Sequence, residues 1–534
     1  MNLILAFDFS TLSLSILISS LVFLLCKIVY NVYFHPLRHI PGPKLYATSR
    51  VPYITNVLMG RLAVRFHELH EQYGPVVRTA SNEVSFISSD AWDTIYSRKN
   101  SSHQEFAKNY DKWNETANDF SHTLFLASKS DHPRMRKILS HAFSDKMLRD
   151  HVPILQAAIG KFLDGIKAAS SDANGKPYES PVDFNLWFNL LAFDAVSDFV
   201  LGESFHTLTN TRHRAWLNNL SKTWFFISIV SSFKSLIKVK DAMSLLLPRK
   251  LLQAYVDQLK LVRKTAREKL DVLPPRPTLM SVARTAPKAR PEDRTKHLYL
   301  SDHELLANAE LIVTAGTDTS ATALPATLYL LARNPSAMKK VTNEIRAFHS
   351  EDDIDFLALN KMPYLTACLT ESLRLYSPVP EGLPRVVPDA GENICGHWIP
   401  GGVCSLNLRL QHETDRIQTF CQISPFAANR SSAHFTSPDS FIPERWLHDD
   451  SDPSTSKYTN DKTHAFRPFS TGPRDCIGQN FAMTSIRLVL SRLLYRFDVE
   501  CATEDDWLDQ PAYLLWQRRT LAMRLLPASA RTST

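Results

Sequence analysis

The segment Phe469-Ser-Thr-Gly472-Pro-Arg474-Asp-Cys476-Ile-Gly478 constrains this chain more than any other, because it sets one cysteine in a loop with a glycine four residues before it and another two after it. Glycines at those places let the backbone come close to a flat group and aim its N–H groups at the sulfur. A thiolate ringed by amide donors is a metal ligand in a tuned environment. The ordinary reading of any one cysteine is an inert buried thiol. The spacing around Cys476 favours the ligand.

The seven cysteines are odd in number, widely spread and never arranged as Cys-x-x-Cys, which argues against a disulfide framework or a structural zinc site and for a reducing compartment. With 534 residues, 44% of them apolar, the chain can bury a large core, and length alone predicts two or three domains. The net charge of +7 comes from scattered Lys and Arg with no basic block, so nucleic acid is excluded as a partner. An anionic membrane surface or an acidic protein fits that charge better.

From Phe9 to Cys26 the chain carries no charge over eighteen residues, and apolar character resumes after Lys27. At about 1.5 Å per residue such a helix nearly crosses a ~30 Å hydrocarbon layer, which predicts a single transmembrane anchor over 1–34. A cleaved signal peptide is the alternative, but no basic residue precedes the apolar run and no small-residue cleavage site follows it. Asp8 lies before the span and Lys27, Arg38, Lys44 and Arg50 after it, so the positive-inside rule puts 35–534 in the cytosol. His35-Pro36 and Pro41-Gly42-Pro43 predict a stiff hinge.

Beyond the hinge helical patterns dominate, broken near 75–90 and 383–403 by runs that predict small sheets. The proline-rich, basic stretch from Leu273 to Lys296 reads as a solvated loop. Trp224 to Lys238 is apolar around much of its circumference, as in a buried helix or one dipping into a bilayer.

The Cys476 segment resembles the haem-binding pattern of the cytochrome P450 family at every fixed position, Phe469 and Gly478 included. The resemblance implies haem b, iron protoporphyrin IX, with Cys476 as the iron's axial ligand and Arg474 as a partner of a haem propionate. Ala315-Gly316-Thr317-Asp318-Thr319, in a helix opened by a Ser301–Glu304 capping box, has two adjacent small residues beside a hydroxyl and a carboxylate. In the family this motif lies over the haem, which implies that Thr319 holds dioxygen and Asp318 feeds it protons. Glu371 and Arg374 share a helix face three residues apart, ordinarily a surface ion pair of little value. The family joins them with an arginine placed like Arg445 in a buried network supporting the cysteine loop. His132 and Arg136, four apart on one face, and Arg385 are implied to reach the propionates.

These matches span about residues 35–526 and replace the multi-domain expectation with one cytochrome P450 fold, mainly α with small β-sheets, behind the anchor. They imply an endoplasmic-reticulum monooxygenase that takes electrons from NADPH through NADPH–cytochrome P450 reductase. Arg134, Lys137, Lys146 and Arg149 are candidates for docking that partner. Segments 106–127, Leu311–Ala315 and Val379–Leu383 are expected to line an apolar pocket. The terminal WLDQPAYLLWQRRTLAMRL and the HPLRHIPGPKLYA hinge resemble the fungal branch related to trichothecene 15-hydroxylases, which implies a terpenoid or polyketide substrate.

Two departures stand out. Between Gly402 and Ile423 the residues 403–422 form an anomalous insert where relatives have a short buried strand, which suggests a retained intron or a wrong exon boundary. It keeps open a haem-binding but inactive product. A family member that isomerises or dehydrates a peroxide without reductase is the other alternative; the Asp318–Thr319 pair argues against it. Pro325, six residues past Thr319, is expected to kink its helix or cost about 3 kcal/mol.

Overall fold

The computed structural model describes residues 9–97, 105–109, 122–172, 174–211, 262–270, 274–285, 299–404, 416–447 and 457–529, with positions 214, 224–225, 227–229, 231–232 and 272. Helix α1 (Phe9–Val29) has the expected length, and the most apolar part of the stretch Leu12–Phe34, of mean hydropathy 2.4, is not buried against the protein. Its last turn, Tyr30–Phe34, widens and stops at His35, where an extended backbone leads into Pro36. Hydrogen bonds as well as prolines tie the junction to the body of the protein. Asn31 is buried, its side-chain amide donates to the Thr48 carbonyl at 2.9 Å, and its own carbonyl accepts from Arg78 at 3.0 Å.

The helices that build the core are α2 (Lys44–Thr48), α3 (Val51–Leu58), α4 (Leu62–Tyr73), α5 (Ser89–Tyr96), α6 (His132–Ser140), α7 (Asp145–Ala169), α8 (Phe184–Leu201), α9 (Leu279–Thr285), α10 (Asp302–Arg333), α11 (Pro335–Arg346), α12 (Pro363–Leu375), α13 (Pro425–Arg430) and α14 (Gln479–Arg496). The long α10 begins at the capping box: the Ser301 hydroxyl accepts from the Glu304 amide at 3.2 Å, and the Ser301 amide donates to the Glu304 carboxylate at 2.8 Å. It continues through Pro325 to Arg333. Helix α8 has apolar residues on all sides, with only Asn, Asp and Ser interspersed, and is largely buried; α10 and α7 pack against it.

The solvated loop expected from Leu273 to Lys296 is corrected in part. Residues 279–285 form α9, with Leu279, Met280 and Ala283 buried. Leu279, Met280 and Ala283 fall on one face at helical spacing, and reciprocal bonds between Thr278 and Ser281 start the turn. The prolines before it had masked a short amphipathic run. The remaining loop residues, 286–296, lie outside the described ones, as does most of Trp224–Lys238.

A five-stranded sheet has the order β1 (Val76–Ala80), β2 (Glu83–Phe86), β10 (Phe420–Ile423), β5 (Arg385–Val386), β3 (Ala107–Lys108). Strand β10 runs parallel to β2 and antiparallel to β5, and so occupies its centre. Part of the segment 403–422 is therefore core. Thr419, Cys421 and Gln422 are buried; the Thr419 hydroxyl donates to Gly401 O at 2.6 Å and the Gln422 amide to Glu83 Oε1 at 2.8 Å. Residues 403–404 pair with 416–417, and 405–415 lie outside the described residues. The chain leaves and re-enters on one paired ladder, which lets β10 keep its place. A second sheet joins β11 (Phe497–Cys501), β14 (Ala522–Pro527) and β4 (Val182–Asp183), and a hairpin joins β12 (Ala512–Tyr513) to β13 (Leu515–Trp516).

His151, on α7, packs against the rings of Phe199 and Phe481 at 5.2 and 5.9 Å, and burial holds its pKa down at about 4. An unfolded histidine takes up its proton near 6.5, so stability is full above that value and falls as pH drops towards 4. From pH 7 to pH 5 this one residue removes about 2 kcal/mol. His151→Phe is expected to flatten the acid side of a thermal-midpoint-against-pH curve; an unchanged curve would show that other groups govern it.

Candidate active site

The cysteine loop is closed by a bond from the Cys476 amide to the Phe469 carbonyl at 2.9 Å. Gly472 has φ +82°, and a Cβ there would strike the Tyr96 carbonyl at the end of α5, so this glycine is required both by its backbone and by its neighbour. Gly478 caps the start of α14, and its amide points at the Cys476 sulfur. Burial pushes the Cys476 thiol up; the Gly478 amide and Arg136 oppose that, while Asp475 adds to it. Cys476 counts as exposed by surface area although protein encloses it in depth.

Beside this loop the fold gathers cations. His132 and Arg136 share a face of α6, as their spacing predicts. Arg136 donates to the Asp475 carbonyl at 2.7 Å and pairs with the Asp475 carboxylate, so it grips the cysteine loop directly. Arg474 pairs with Glu105 and donates to Ala127 O at 3.0 Å. Arg385 is buried on β5, 4.9 Å from the Tyr96 ring, with long bonds of 3.3 and 3.4 Å to the carbonyls of Leu383 and Pro384. Directly across the β3–β5 ladder stands Lys108, a residue that sequence reasoning missed. Its ammonium donates to the Phe125 carbonyl and lies 4.2 Å from the Phe125 ring. Burial lowers its pKa well below the lysine range, and Arg385 and Arg474 push the same way. Burial first, then Arg474, Lys108 and Arg136, hold His132 down at about 3.

Among the described residues, two of these cations pair with carboxylates, Arg474 with Glu105 and Arg136 with Asp475, while Arg385 and Lys108 meet only carbonyl oxygens and aromatic rings. Crowded buried cations lower each other's pKa and call for anions. A flat group carrying two carboxylates beside a sulfur ligand fits that donor set, and haem b carries two propionates. Among the described residues no three His, Cys, Asp or Glu side chains cluster as a metal site.

The small-residue motif lies on α10. Leu311, Ala315 and Thr319 are half-buried at four-residue intervals on one face, and the Thr319 hydroxyl donates to the Ala315 carbonyl at 2.8 Å. Asp318, about 100° round the helix, is buried instead. Its Oδ1 accepts from Arg518 at 3.2 Å and its Oδ2 from the Trp224 indole at 2.7 Å. Burial raises its pKa while those two donors oppose the rise. Thr319 and Asp318 thus face different partners. Gly316 faces α8: a Cβ there would come within 3.1 Å of Val196. It permits close packing of two helices.

Leu126, Ile227 and Leu514 form an apolar cluster with Phe125, Trp224, Val379 and Leu383 packed against it. This joins the expected lining segments 106–127 and Val379–Leu383, though 110–121 lie outside the described residues. Leu514, at the tip of the β12–β13 hairpin with φ +66°, was not anticipated.

Glu371, Arg374 and Arg445 are wholly buried and joined. Glu371 Oε1 accepts from Arg374 Nη2 at 2.8 Å and Arg445 Nε at 3.0 Å; Oε2 accepts from Arg374 Nε and the Trp446 indole, both at 2.9 Å. Arg374 reaches on to the carbonyls of Asn429 and Pro438 at 2.6 Å, and Arg445 pairs with Asp461. Trp446 then packs on Phe466, at 5.2 Å, just before the cysteine loop. Of the candidate docking residues Lys137, Lys146 and Arg149 are exposed. Arg134 pairs with Glu304 at the start of α10 and donates to the Tyr299 carbonyl, so it is engaged within the protein.

Residues 46–522 match the family described as Cytochrome P450. The chain is 36% identical over 520 residues to the cytochrome P450 monooxygenase lcsI of Purpureocillium lilacinum, covering 96% of this chain and 94% of that protein. It is 35% identical over 541 residues to the cytochrome P450 monooxygenase atr2 of Stereocaulon alpinum, with 97% of each covered. Averantin hydroxylase of Dothistroma septosporum is 32% identical over 519 residues, 96% of this chain and 91% of that protein.

Proposed function

This chain belongs to the cytochrome P450 family and is a monooxygenase, and from that premise we propose that it hydroxylates or otherwise oxidises an apolar small molecule of fungal secondary metabolism, a terpenoid or polyketide. The observation that carries the reading is the buried cation cluster beside the Cys476 loop. Haem held there by the Cys476 thiolate would supply dioxygen activation, and the thiolate would donate electron density to it. Arg385, Lys108, Arg474 and His132 would hold and orient its two carboxylates, being gathered beside the loop with few carboxylate partners of their own among the described residues. Arg136 secures the loop through Asp475.

The cluster of Leu126, Ile227 and Leu514 excludes water and recognises the substrate by apolar contact. The Thr319 hydroxyl holds a proton at Oγ1, and the Asp318 carboxyl replenishes it. Electrons come from NADPH through NADPH–cytochrome P450 reductase, for which Lys137, Lys146 and Arg149 offer exposed positive charge. Residues 1–34 anchor the enzyme in the endoplasmic-reticulum membrane, and 35–534 form the cytosolic catalytic domain. Exposed Leu45, Val51 and Met59, which follow the anchor, suit contact with the bilayer surface.

The test is a metabolite profile of a deletion strain followed by incubation of the accumulated compound with enzyme, reductase and NADPH. Oxygen-labelled product is expected, and product formed without NADPH would defeat the reading. In the same assay Asp318→Asn is expected to lower turnover on the order of 10²-fold with haem content unchanged.

A further inference from the structure

The carboxyl group of Asp318 is gripped from two sides by residues remote in the chain. Arg518, between β13 and β14, donates from Nη2 to Asp318 Oδ1 at 3.2 Å, from Nη1 to the Asp318 carbonyl at 2.8 Å and to the Thr322 hydroxyl, and from Nε to Asn185 Oδ1 at 3.1 Å. Both charged side chains are buried, at 3% and 2% exposure. Removing this guanidinium means breaking four bonds at once. Trp224 is different: half-buried, it touches Asp318 through one bond from Nε1 to Oδ2 at 2.7 Å. Its ring also packs against the apolar cluster of Leu126, Ile227 and Leu514.

We propose that Arg518 and Trp224 are positioning residues for the Asp318 carboxyl, Arg518 fixing Oδ1 permanently and Trp224 holding Oδ2 until a molecule entering the apolar cluster displaces the indole. Proton delivery is thereby tied to occupation of the site. The inference rests on the reading of Asp318 as the proton source. Its geometry is asymmetric in the required way, since the fixed donor is charged, buried and fourfold bonded, and the releasable donor is neutral, singly bonded and in contact with the substrate side. Arg518 is the ionised group facing Asp318 among the described residues; Trp224, Thr322 and Asn185 do not titrate. Loss of the indole bond removes one of the interactions that oppose the effect of burial, so the carboxyl must then protonate at higher pH.

Two readouts on the full-length, haem-loaded enzyme in lipid nanodiscs test this. The infrared carbonyl band of protonated Asp318, identified by its loss in Asp318→Asn, is titrated in the native protein and in Trp224→Phe. An upward shift of the midpoint is expected, and coincident titrations would overturn the proposal. With reductase and no substrate added, NADPH consumption is expected to rise several-fold in Trp224→Phe and to fall back in the Trp224→Phe/Asp318→Asn double variant. If Asp318→Asn slows NADPH-driven turnover of substrate while Trp224→Phe leaves substrate-free consumption unchanged, the release step is wrong. If Asp318→Asn is itself silent, the proton role of Asp318 fails instead. Should Trp224→Phe not retain haem, Trp224→Tyr, which displaces the donor but keeps a ring, is read in the same way.

Discussion

Cys476→Ser is expected to fold and to lose more than about 100-fold of its monooxygenase turnover, measured as product formed per mole of enzyme with reductase and NADPH. The fold contribution of this position lies in its backbone, through the amide bond to Phe469 that serine keeps. Its chemical contribution lies in the sulfur. A serine hydroxyl is a hard, protonated oxygen that cannot supply the electron density a thiolate supplies. Loss of an outer partner of a metal site costs 10–100-fold as a rough rule, and loss of the ligand itself must exceed that. Turnover within a few-fold of the native enzyme would remove Cys476 from the mechanism.

The second large effect concerns stability. Glu371→Ala leaves Arg374 and Arg445 charged, wholly buried and without their shared carboxylate. Breaking such a pair costs about 3–5 kcal/mol, against a total stability of about 5–15 kcal/mol for a folded domain. Here one carboxylate accepts from two guanidiniums, an indole and the Ile442 amide, so the cost belongs at the upper end. The purified variant is expected to have a sharply lower unfolding temperature and to lose haem in parallel. Glu371→Gln, which keeps the shape but not the charge, should fall between. A native-like unfolding temperature for Glu371→Ala would mean that the arginines find other partners and that the network is redundant.

What the sequence made legible follows from distance along the chain. The cysteine loop, the capping box of α10 and the i,i+3 pair of Glu371 and Arg374 are local patterns whose geometry is set within a turn or two, and all were readable. Lys108 was not, because only the β3–β5 register sets it opposite Arg385. Trp224 and Arg518 meet Asp318 across 94 and 200 residues, and neither carries a local signature. Gly316 shows another limit: its motif was visible, but the neighbour it packs against, Val196, belongs to another helix. The boundaries of the unusual segment after Gly402 were blurred for a related reason. Thr419 and Gln422 look polar in isolation, yet their hydrogen bonds into the sheet make β10 a buried central strand.

The most direct measurement is the absorption difference spectrum of the purified full-length protein, reduced and exposed to carbon monoxide. Haem held by a thiolate gives a strongly red-shifted Soret band under these conditions, and the account predicts that band in the native enzyme and its loss in Cys476→Ser with haem still bound. Haem-loaded native protein lacking the shifted band, or a Cys476→Ser variant retaining it, would contradict the assignment of Cys476 as the iron's ligand.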